Sequence, residues 1–421
     1  MGGINSENLL KMAKVYGTPL YVYDFEIIVN NIEKLRKAFS DKFDIFYSMK
    51  CNPNLGLLKR IKDNVNGIEV ASAGELFLAI NSGIKANKII FVGPGKTDKE
   101  LKYAIDLNIL AIIAESFEEL KIIDDLSRLS NKKTTVAIRI NPKMELSGAR
   151  IKMGGVARQF GIDEENIDST MEFIKNMKNI SLGGIHVYIG TQILQENTII
   201  DNMKNIIRIT NEIREKHGIE LKFIDFGGGL GVPYFNGELP LNMNALKKGL
   251  DKIFQENKLN LNGMKLIIES GRYLVADAGT YLTKVLYKKV SRGKTFIITD
   301  GGSNNHSAAA GLGRFIRNNF PITKLNKSVK NSTQVVDIVG TLCTPTDVLA
   351  SNIELPEIER GDILAIEKSG AYGLTASPIG FISHQNPAEI LIDGSEHYIV
   401  RERGTMEDLL IGQAIELNKK K

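Results

Sequence analysis

The fold is decided by a stretch that begins with ENIDSTMEFIKNMK (165–178) and continues through GIHVYIG (184–190), DNMKNIIRITNEIREK (201–216) and FIDFG (223–227). In the first and third segments, apolar residues recur at positions i, i+3 and i+4, which is the period of an amphipathic helix. The second and fourth segments are short β-rich runs. Helices that alternate with short strands are typical of parallel sheets with helical crossovers, so the stretch predicts an α/β fold.

The same alternation covers the first two thirds of the chain. Six further β-rich runs are IFYSM (45–49), IEVAS (68–72), IIFVG (89–93), LAIIAE (110–115), VAIRIN (136–141) and LIIES (266–270). Eight such units in about 240 residues have the size of a (β/α)8 barrel. A doubly wound open sheet would give a similar alternation, and the barrel is the preferred prediction.

After Asp277 the sequence changes to strand runs without long helices between them. These runs are YLTKVLYKKV, TFIITDGG, TQVVDIVGTLC, DILAIEKSGAYG, AEILIDG and EHYIVRERG. They predict a β-domain of barrel or sandwich type, and the strand-like TPLYVYD (18–24) is expected to pair with it. The predicted domains are therefore a barrel at 25–280 and a β-domain formed by 1–24 and 281–421.

Composition excludes several classes of protein. The 421 residues are 43% hydrophobic and 24% charged, and no apolar stretch has the length of a membrane helix. The net charge of +5 is not concentrated in a basic block, which argues against nucleic acid but leaves an acidic partner open. Cys51 and Cys343 are far apart, so neither a disulfide framework nor a zinc site is expected, and no other metal is expected either. The N-terminus lacks signal-peptide features, and we expect a cytoplasmic protein.

Catalytic residues of a (β/α)8 barrel lie at the carboxyl ends of its strands. Lys50 ends the first predicted strand after the apolar run DIFYSM, where apolar walls would lower its pKa and make the amine nucleophilic. A lysine that simply reaches solvent is the alternative. The glycine run FGGGLG (226–231) would let backbone N–H groups approach a phosphate.

Two further strand ends carry residues that could contact a phosphate-bearing cofactor bound to Lys50. Glu269 ends the apolar run LIIES, where it would form an ordinary salt bridge or hold a pyridine nitrogen protonated. His186 and Tyr188 are two residues apart in a predicted strand, so both would face one side, and one of them could stack on a flat cofactor instead of packing in the core. An amine, a phosphate cradle, a carboxylate and an aromatic face together indicate a pyridoxal phosphate site.

These residues resemble those of the fold-type III pyridoxal phosphate decarboxylases, the diaminopimelate and ornithine decarboxylase superfamily, over nearly the whole chain. The motifs that carry the resemblance are YSMKCN (47–52), EVASAGEL (69–76), DFGGGLG (225–231), ESGR (269–272), CTPTD (343–347) and GAYG (370–373). The resemblance implies an alanine racemase-like barrel followed by a β-domain, pyridoxal 5′-phosphate as cofactor, and a homodimer with shared active sites.

It also implies a role for each matching residue. Lys50 would hold the cofactor as a Schiff base, Glu269 would pair with the pyridine nitrogen, and Cys343 would return a proton after carbon dioxide leaves. The other implied cofactor contacts are His186, Tyr188, Thr191, Gly227, Gly228, Gly229, Gly271, Arg272 and Tyr372. The implied substrate contacts are Arg139, Arg272, Thr344 and Tyr372.

Three departures from the family pattern bear on the substrate. The motif HxHIGSQ has Tyr188 at its second histidine, so stacking is kept but histidine protonation is lost. Diaminopimelate decarboxylases have a glutamate after the motif cysteine and an arginine after the glycine pair, where this chain has Thr344 and Ala308. Without both groups, the distal ammonium and carboxylate of diaminopimelate would be poorly paired.

The departures are similar to those of decarboxylases that act on an L-glutamyl group tethered to an acyl-carrier protein in antibiotic biosynthesis. We therefore expect a carboxy-lyase for a carrier-tethered amino acid, and basic Arg150, Lys152 and Arg158 are either contacts for an acidic carrier or simply solvated. The alternatives are a decarboxylase of diaminopimelate or another free amino acid, a racemase, and a catalytically silent binding protein. The sequence assigns no role to His306.

Overall fold

The computed structural model describes residues 4–143, 157–188, 190–256, 263–311, 318–327 and 332–413, together with the backbone of 151–152. The chain divides into two compact units. The barrel unit consists of Val29–Pro233 and Gly237–Leu274. The β unit consists of the chain up to Ile28, Tyr234–Asn236 and the chain from Val275 onward.

The elements are numbered along the chain. The strands are β1 (Leu20–Asp24), β2 (Phe43–Ser48), β3 (Gly67–Val70), β4 (Ile89–Phe91), β5 (Ala111–Ala114), β6 (Thr134–Asn141), β7 (Ile151–Lys152), β8 (Ile162–Asp163), β9 (Ile180–His186), β10 (Gly190–Thr191), β11 (Phe223–Asp225), β12 (Lys265–Ser270), β13 (Gly279–Ser291), β14 (Lys294–Thr299), β15 (Ile322–Lys324), β16 (Thr333–Val339), β17 (Val348–Pro356), β18 (Ile363–Ile366), β19 (Ala388–Asp393) and β20 (Glu396–Arg401). The α-helices are α1 (Ser6–Tyr16), α2 (Phe25–Phe39), α3 (Leu55–Ile61), α4 (Ala73–Asn81), α5 (Asp98–Leu107), α6 (Phe117–Leu129), α7 (Ile167–Lys175), α8 (Glu196–His217), α9 (Met243–Glu256) and α10 (Arg272–Val275).

The barrel unit contains a closed ring of eight parallel strands. β2 pairs with β3, and the ring continues through β4, β5, β6, β9, β11 and β12, which pairs back with β2. All eight predicted runs lie on these strands, so the predicted barrel is confirmed and the open sheet is wrong. Closure leaves no open sheet edge among the eight strands and brings all their carboxyl ends to one mouth.

Short capped turns hold the helices close to this mouth. Ser72 and Ser116 come two residues after the ends of β3 and β5, and each accepts a hydrogen bond from a backbone N–H in the first turn of the next helix. Thr97 begins α5 with a reciprocal capping box to Glu100. The strand-to-helix turns that border the mouth are therefore fixed by local hydrogen bonds.

The barrel interior has an apolar layer and a charged layer. Buried Phe46, Ile90, Ala111, Ala137, Phe223 and Ile267 belong to one hydrophobic cluster. Several buried polar residues lie within two positions of the strand ends, among them Glu69, Arg139, His186, Asp225 and Glu269. Ionisable groups are expensive to bury, so their concentration at the mouth marks it as the functional end.

The β unit is a separate sheet in the order β17-β16-β14-β13-β1-β19-β20, and β18 pairs with β13 and β15. β1 pairs antiparallel with β13 and parallel with β19, which confirms the prediction that the N-terminal strand joins the β-domain. β17 was not predicted. The assignment of 25–280 and of 1–24 with 281–421 to separate domains stays a prediction. Among the described residues, the helices are too short or too polar to cross a bilayer.

Candidate active site

Lys50 lies in a short 3-10 turn, Met49–Cys51, that follows β2 at the mouth. Its Nζ is 2.7 Å from Glu69 Oε1 and 5.6 Å from the centre of the Tyr188 ring. The predicted apolar surroundings of Lys50 are therefore wrong, because β3 directs the buried Glu69 carboxylate towards the amine. An ammonium beside a carboxylate is held in one position while it remains available to a reactant.

Two further carboxyl groups and an imidazole are buried beside this pair, which makes three carboxyl groups in all. Single ligand atoms of His186, Asp225 and Glu269 lie within 4.8 Å of one another, and His186 Nε2 is 3.5 Å from Glu269 Oε1. Glu69 and Glu269 are 1% exposed and Asp225 is fully buried. Like charges this close cannot all ionise in a site of low dielectric.

The surroundings decide which of the three carries the charge. Burial raises the pKa of Asp225 and of Glu69, and the nearby Glu269 raises both further. Burial alone would also raise the pKa of Glu269, but the positive charges of His186, Lys50 and Arg139 reverse this effect and lower it. Glu269 is therefore the group most readily ionised, and Asp225 is the one that most strongly retains its proton.

The glycine run after β11 forms a surface without side chains. Gly227 and Gly229 have φ of 63° and 107°, which favour glycine. A Cβ would lie 2.5 Å from Val187 O at Gly227, 2.7 Å from Glu269 O at Gly228 and 2.3 Å from Gly190 O at Gly229. Backbone segments from β9, β11 and β12 approach one another so closely that only glycine fits. Gly271 is similarly enclosed, since its Cβ would lie 2.9 Å from Ser48 O beside the Lys50 turn.

The sequence predicted that Tyr188 and His186 share a strand, but they do not. β9 ends at His186, and the chain beyond it forms β10, which pairs with β7 and contains the half-buried Thr191. The Tyr188 ring nevertheless lies at the mouth, with the Arg139 guanidinium 5.8 Å from its centre. The prediction that both residues reach the site does not depend on a common strand.

Arg139 is buried and paired within the barrel wall. Its Nη1 is 3.2 Å from Glu115 Oε1, and its guanidinium stacks 4.7 Å from the centre of the Phe160 ring. Glu115 also accepts hydrogen bonds from the N–H groups of Gly93 and Gly161. This arrangement orients Arg139 towards Tyr188, and its predicted contact with substrate stays a prediction.

The sequence analysis missed Glu69, Asp225 and Glu115. The first two lie inside apolar strand runs, IEV and FID, and Glu115 directly follows AIIA. A single acidic residue in or next to a buried strand is a usable signal, because burial of an unpaired charge is costly.

Arg272 begins α10 in the barrel unit, whereas four other residues singled out in the sequence belong to the β unit. Cys343 is exposed, Thr344 Oγ1 is 2.9 Å from Thr346 Oγ1, and Tyr372 is half-buried with φ of 54°. His306 is fully buried and its Nε2 is 2.8 Å from Ser369 Oγ, so it is a packed core residue of that unit. Arg150 and the side chain of Lys152 lie outside the described residues, whereas Arg158 is exposed.

The family model for the pyridoxal binding domain of pyridoxal-dependent decarboxylases matches residues 26–276. The chain belongs to this decarboxylase family. Its cofactor is pyridoxal 5′-phosphate and its class of reaction is decarboxylation, as the sequence predicted.

Relatives match along almost the whole chain. The L-glutamyl-[BtrI acyl-carrier protein] decarboxylase of Niallia circulans is 40% identical over 97% of this chain and 97% of that protein. The diaminopimelate decarboxylase of Aquifex aeolicus is 33% identical over 95% of this chain and 92% of that protein. The crystal structure of the M. jannaschii diaminopimelate decarboxylase with L-lysine has a TM-score of 0.89 and 30% identity, covering 97% of this chain and 94% of that chain.

The residues at the mouth fit the cofactor of the family. Among the described residues, Glu269 Oε1 and both ring nitrogens of His186 are buried without a well-formed hydrogen bond. The nitrogen paired with this carboxylate oxygen, His186 Nε2, is 3.5 Å away, so the oxygen is suited to a closer donor such as a protonated ring nitrogen. The glycine run has no side chains, so a phosphate could approach its backbone N–H groups closely. The amine of Lys50 completes the set.

Proposed function

We propose that the barrel mouth binds pyridoxal 5′-phosphate through the residues that the sequence singled out. Lys50 holds the cofactor covalently, Glu269 pairs with its ring nitrogen, and Tyr188 and His186 contact the ring. The phosphate is surrounded by glycines, a cation and hydroxyl groups, which are Gly227, Gly228, Gly229, Gly271, Arg272, Tyr372 and Thr191. The observation that carries this assignment is that Lys50, Glu269 and the glycine run meet at the ends of neighbouring strands.

When bound, the cofactor supplies the electron sink for the electrons left by the departing carboxylate. The residues of the chain hold and donate the protons. The neighbouring His186, Lys50 and Arg139 lower the pKa of Glu269 and favour its anion, while burial raises the pKa of Asp225 and favours the protonated acid. Glu69 holds the Lys50 ammonium at 2.7 Å. After carbon dioxide leaves, the thiol of Cys343 would donate a proton to the same carbon, and the thiolate that remains would regain a proton from water.

The proposed substrate is an L-glutamyl group tethered to an acyl-carrier protein. A tethered glutamate has neither a distal ammonium nor a distal carboxylate, and this chain has Thr344 and Ala308 where diaminopimelate decarboxylases place ionic partners. The 40% identity to a decarboxylase of a carrier-bound glutamyl group, against 33% to a diaminopimelate decarboxylase, supports the same choice. The product would be a carrier-bound γ-aminobutyryl group.

Residue roles and substrate are tested separately. Borohydride treatment of the cofactor-loaded enzyme, followed by peptide mapping, should place a stable adduct on Lys50, and Lys50→Ala should give none. An adduct on another lysine would refute the assignment of Lys50. For the substrate, intact-protein mass spectrometry should show that a glutamyl-loaded carrier loses carbon dioxide only when wild-type enzyme is present.

The proposed assembly is a homodimer in which Cys343 of one copy serves the barrel of the other. The proposed location is the cytoplasm, where reducing conditions suit two free cysteines. Analytical ultracentrifugation tests the assembly, and a monomer that is fully active would contradict it.

A further inference from the structure

The β13–β14 hairpin of the β unit has a distinct charge. Residues 284–299 contain five basic side chains and no acidic one. The basic residues, all exposed, are Lys284, Lys288, Lys289, Arg292 and Lys294. A basic hairpin of this kind attracts negatively charged partners and raises their rate of association.

One face of the sheet formed by β13, β14 and β16 is also apolar. Strand register places two rows of side chains on it, Tyr287 with Ile298 and Val339, and Lys289 with Phe296 and Asp337. Tyr287 is 58% exposed, and Val335, two residues before Asp337, is 59% exposed. We call this surface the hairpin face. It combines an exposed apolar centre with basic residues, which is the composition of a protein-binding surface rather than of an ordinary solvated sheet.

Cations are positioned on the aromatic rings of the hairpin face. The Arg360 guanidinium lies 5.6 Å from the centre of the Tyr287 ring, and Lys294 Nζ lies 5.8 Å from the centre of the Phe296 ring. Lys294 also pairs with Asp337 at 2.6 Å. Asp337 is 4% exposed, so it presents little negative charge to a partner, and the exposed Glu354, opposite Val335, lies on β17 at the side away from the hairpin.

Two strands of the hairpin face lead to the loops that contain Ala308 and Cys343. β14 and β16 are parallel, and they continue into the loops that contain Ala308 and Cys343. Asp347 joins the two loops, since it accepts hydrogen bonds from the N–H groups of Ser303 at 2.6 Å and Leu342 at 2.8 Å. Lys294 lies at the start of β14, so a tether must span roughly 15–20 Å, at about 3.3 Å per residue, to reach the end of the strand.

We propose that the hairpin face docks an acidic acyl-carrier protein, so that its tethered group extends along β14 and β16 towards the Cys343 loop. The choice of occupant rests on charge complementarity and on the proposed function. A short free amino acid would need no surface at this distance from Cys343, whereas a carrier-bound group does.

The test compares two substrates on two charge-reversed variants. The substrates are a glutamyl-loaded acyl-carrier protein and glutamyl-pantetheine, which has the thioester but lacks the protein. Lys289→Glu, on the hairpin face, should raise KM for the carrier by about tenfold with kcat unchanged, and should leave both constants for glutamyl-pantetheine unchanged. Lys248→Glu, which reverses an exposed lysine on α9, is the matched control and should change neither.

Each other outcome refutes a different claim. An unchanged carrier KM in the hairpin variant, with wild-type turnover intact, overturns the docking proposal alone. Absence of wild-type turnover on both thioesters overturns the proposed function and the docking proposal with it. Equal loss on both substrates in a variant that sediments as a monomer means that a second copy covers the hairpin face. Lys289→Ala, with thermal unfolding as a folding check, should give a smaller KM increase of the same selectivity.

Discussion

Glu75, in the first turn of α4, should make the stability of the barrel unit depend on pH. Its Oε2 accepts a hydrogen bond from the Ala71 N–H at 2.7 Å. Burial raises its pKa from 4.5 to about 7, with a smaller contribution from Glu69. Glu75→Gln keeps the acceptor oxygen and removes only the titration.

The sign of the effect follows from proton binding in the two states. Below pH 4.5 the carboxyl is protonated in both the folded and the unfolded chain. Between 4.5 and about 7 only the unfolded chain loses its proton, so the wild type loses stability as the pH rises. At about 1.4 kcal/mol per pH unit, the accumulated loss above pH 7 is at most about 3 kcal/mol.

Calorimetric unfolding of the cofactor-free wild type and Glu75→Gln should therefore give equal Tm values near pH 4. At pH 8 the variant should melt about 6–12 °C higher, because about 1 kcal/mol corresponds to about 2–4 °C for a domain of this size. The same Tm difference at every pH would refute the raised pKa. A variant that is less stable at pH 8 would refute the sign of the argument.

Three further predictions test the site. Cys51 is 1% exposed and burial raises the pKa of its thiol to about 12, so iodoacetamide at pH 8 should modify Cys343 and spare Cys51, as peptide mapping would show; equal labelling would contradict the described burial. Gly229→Ala, with φ of 107° and a Cβ 2.3 Å from a backbone oxygen, should lower the free energy of unfolding by about 2 kcal/mol more than Gly237→Ala, which has φ of 86° but open space around it. Calorimetry of both variants measures this, and equal losses would mean that the close approach is unimportant. Thr344→Glu should shift the ratio of kcat/KM for diaminopimelate over the glutamyl carrier by about tenfold, because a charge-assisted hydrogen bond contributes about 1.5 kcal/mol; an unchanged ratio would exclude position 344 from substrate choice.

The barrel was predictable because its strands and helices have different hydrophobic periods. Each β-rich run from IFYSM to LIIES lies on a barrel strand, and the helices between them have a clear apolar face. The weakest signal was β17, VLASNIELP, whose alternation is broken by small and polar residues. Only its pairing with β16 reveals the strand.

The site was predictable where a residue type is rare for its position. Lys50, Glu269 and the glycines stand out at strand ends, and the structure brings them to one mouth. The chemical environment of Lys50 was less predictable, because the sequence shows neither which face of a strand a side chain occupies nor which residues lie next to it on the neighbouring strands. Glu69 faces Lys50 from the adjacent strand and replaces the expected apolar wall. The end of β9 at His186 is likewise set by the pairing of β10 with β7.

The most direct test of the account is the release of carbon dioxide by the purified enzyme with pyridoxal 5′-phosphate. Glutamyl-loaded acyl-carrier protein, free L-glutamate and meso-diaminopimelate would be offered in parallel at equal concentration. The account predicts rapid release from the carrier-bound glutamyl group and little from the two free amino acids. Turnover of diaminopimelate at a rate equal to or above that of the carrier would contradict it and would make this chain a diaminopimelate decarboxylase.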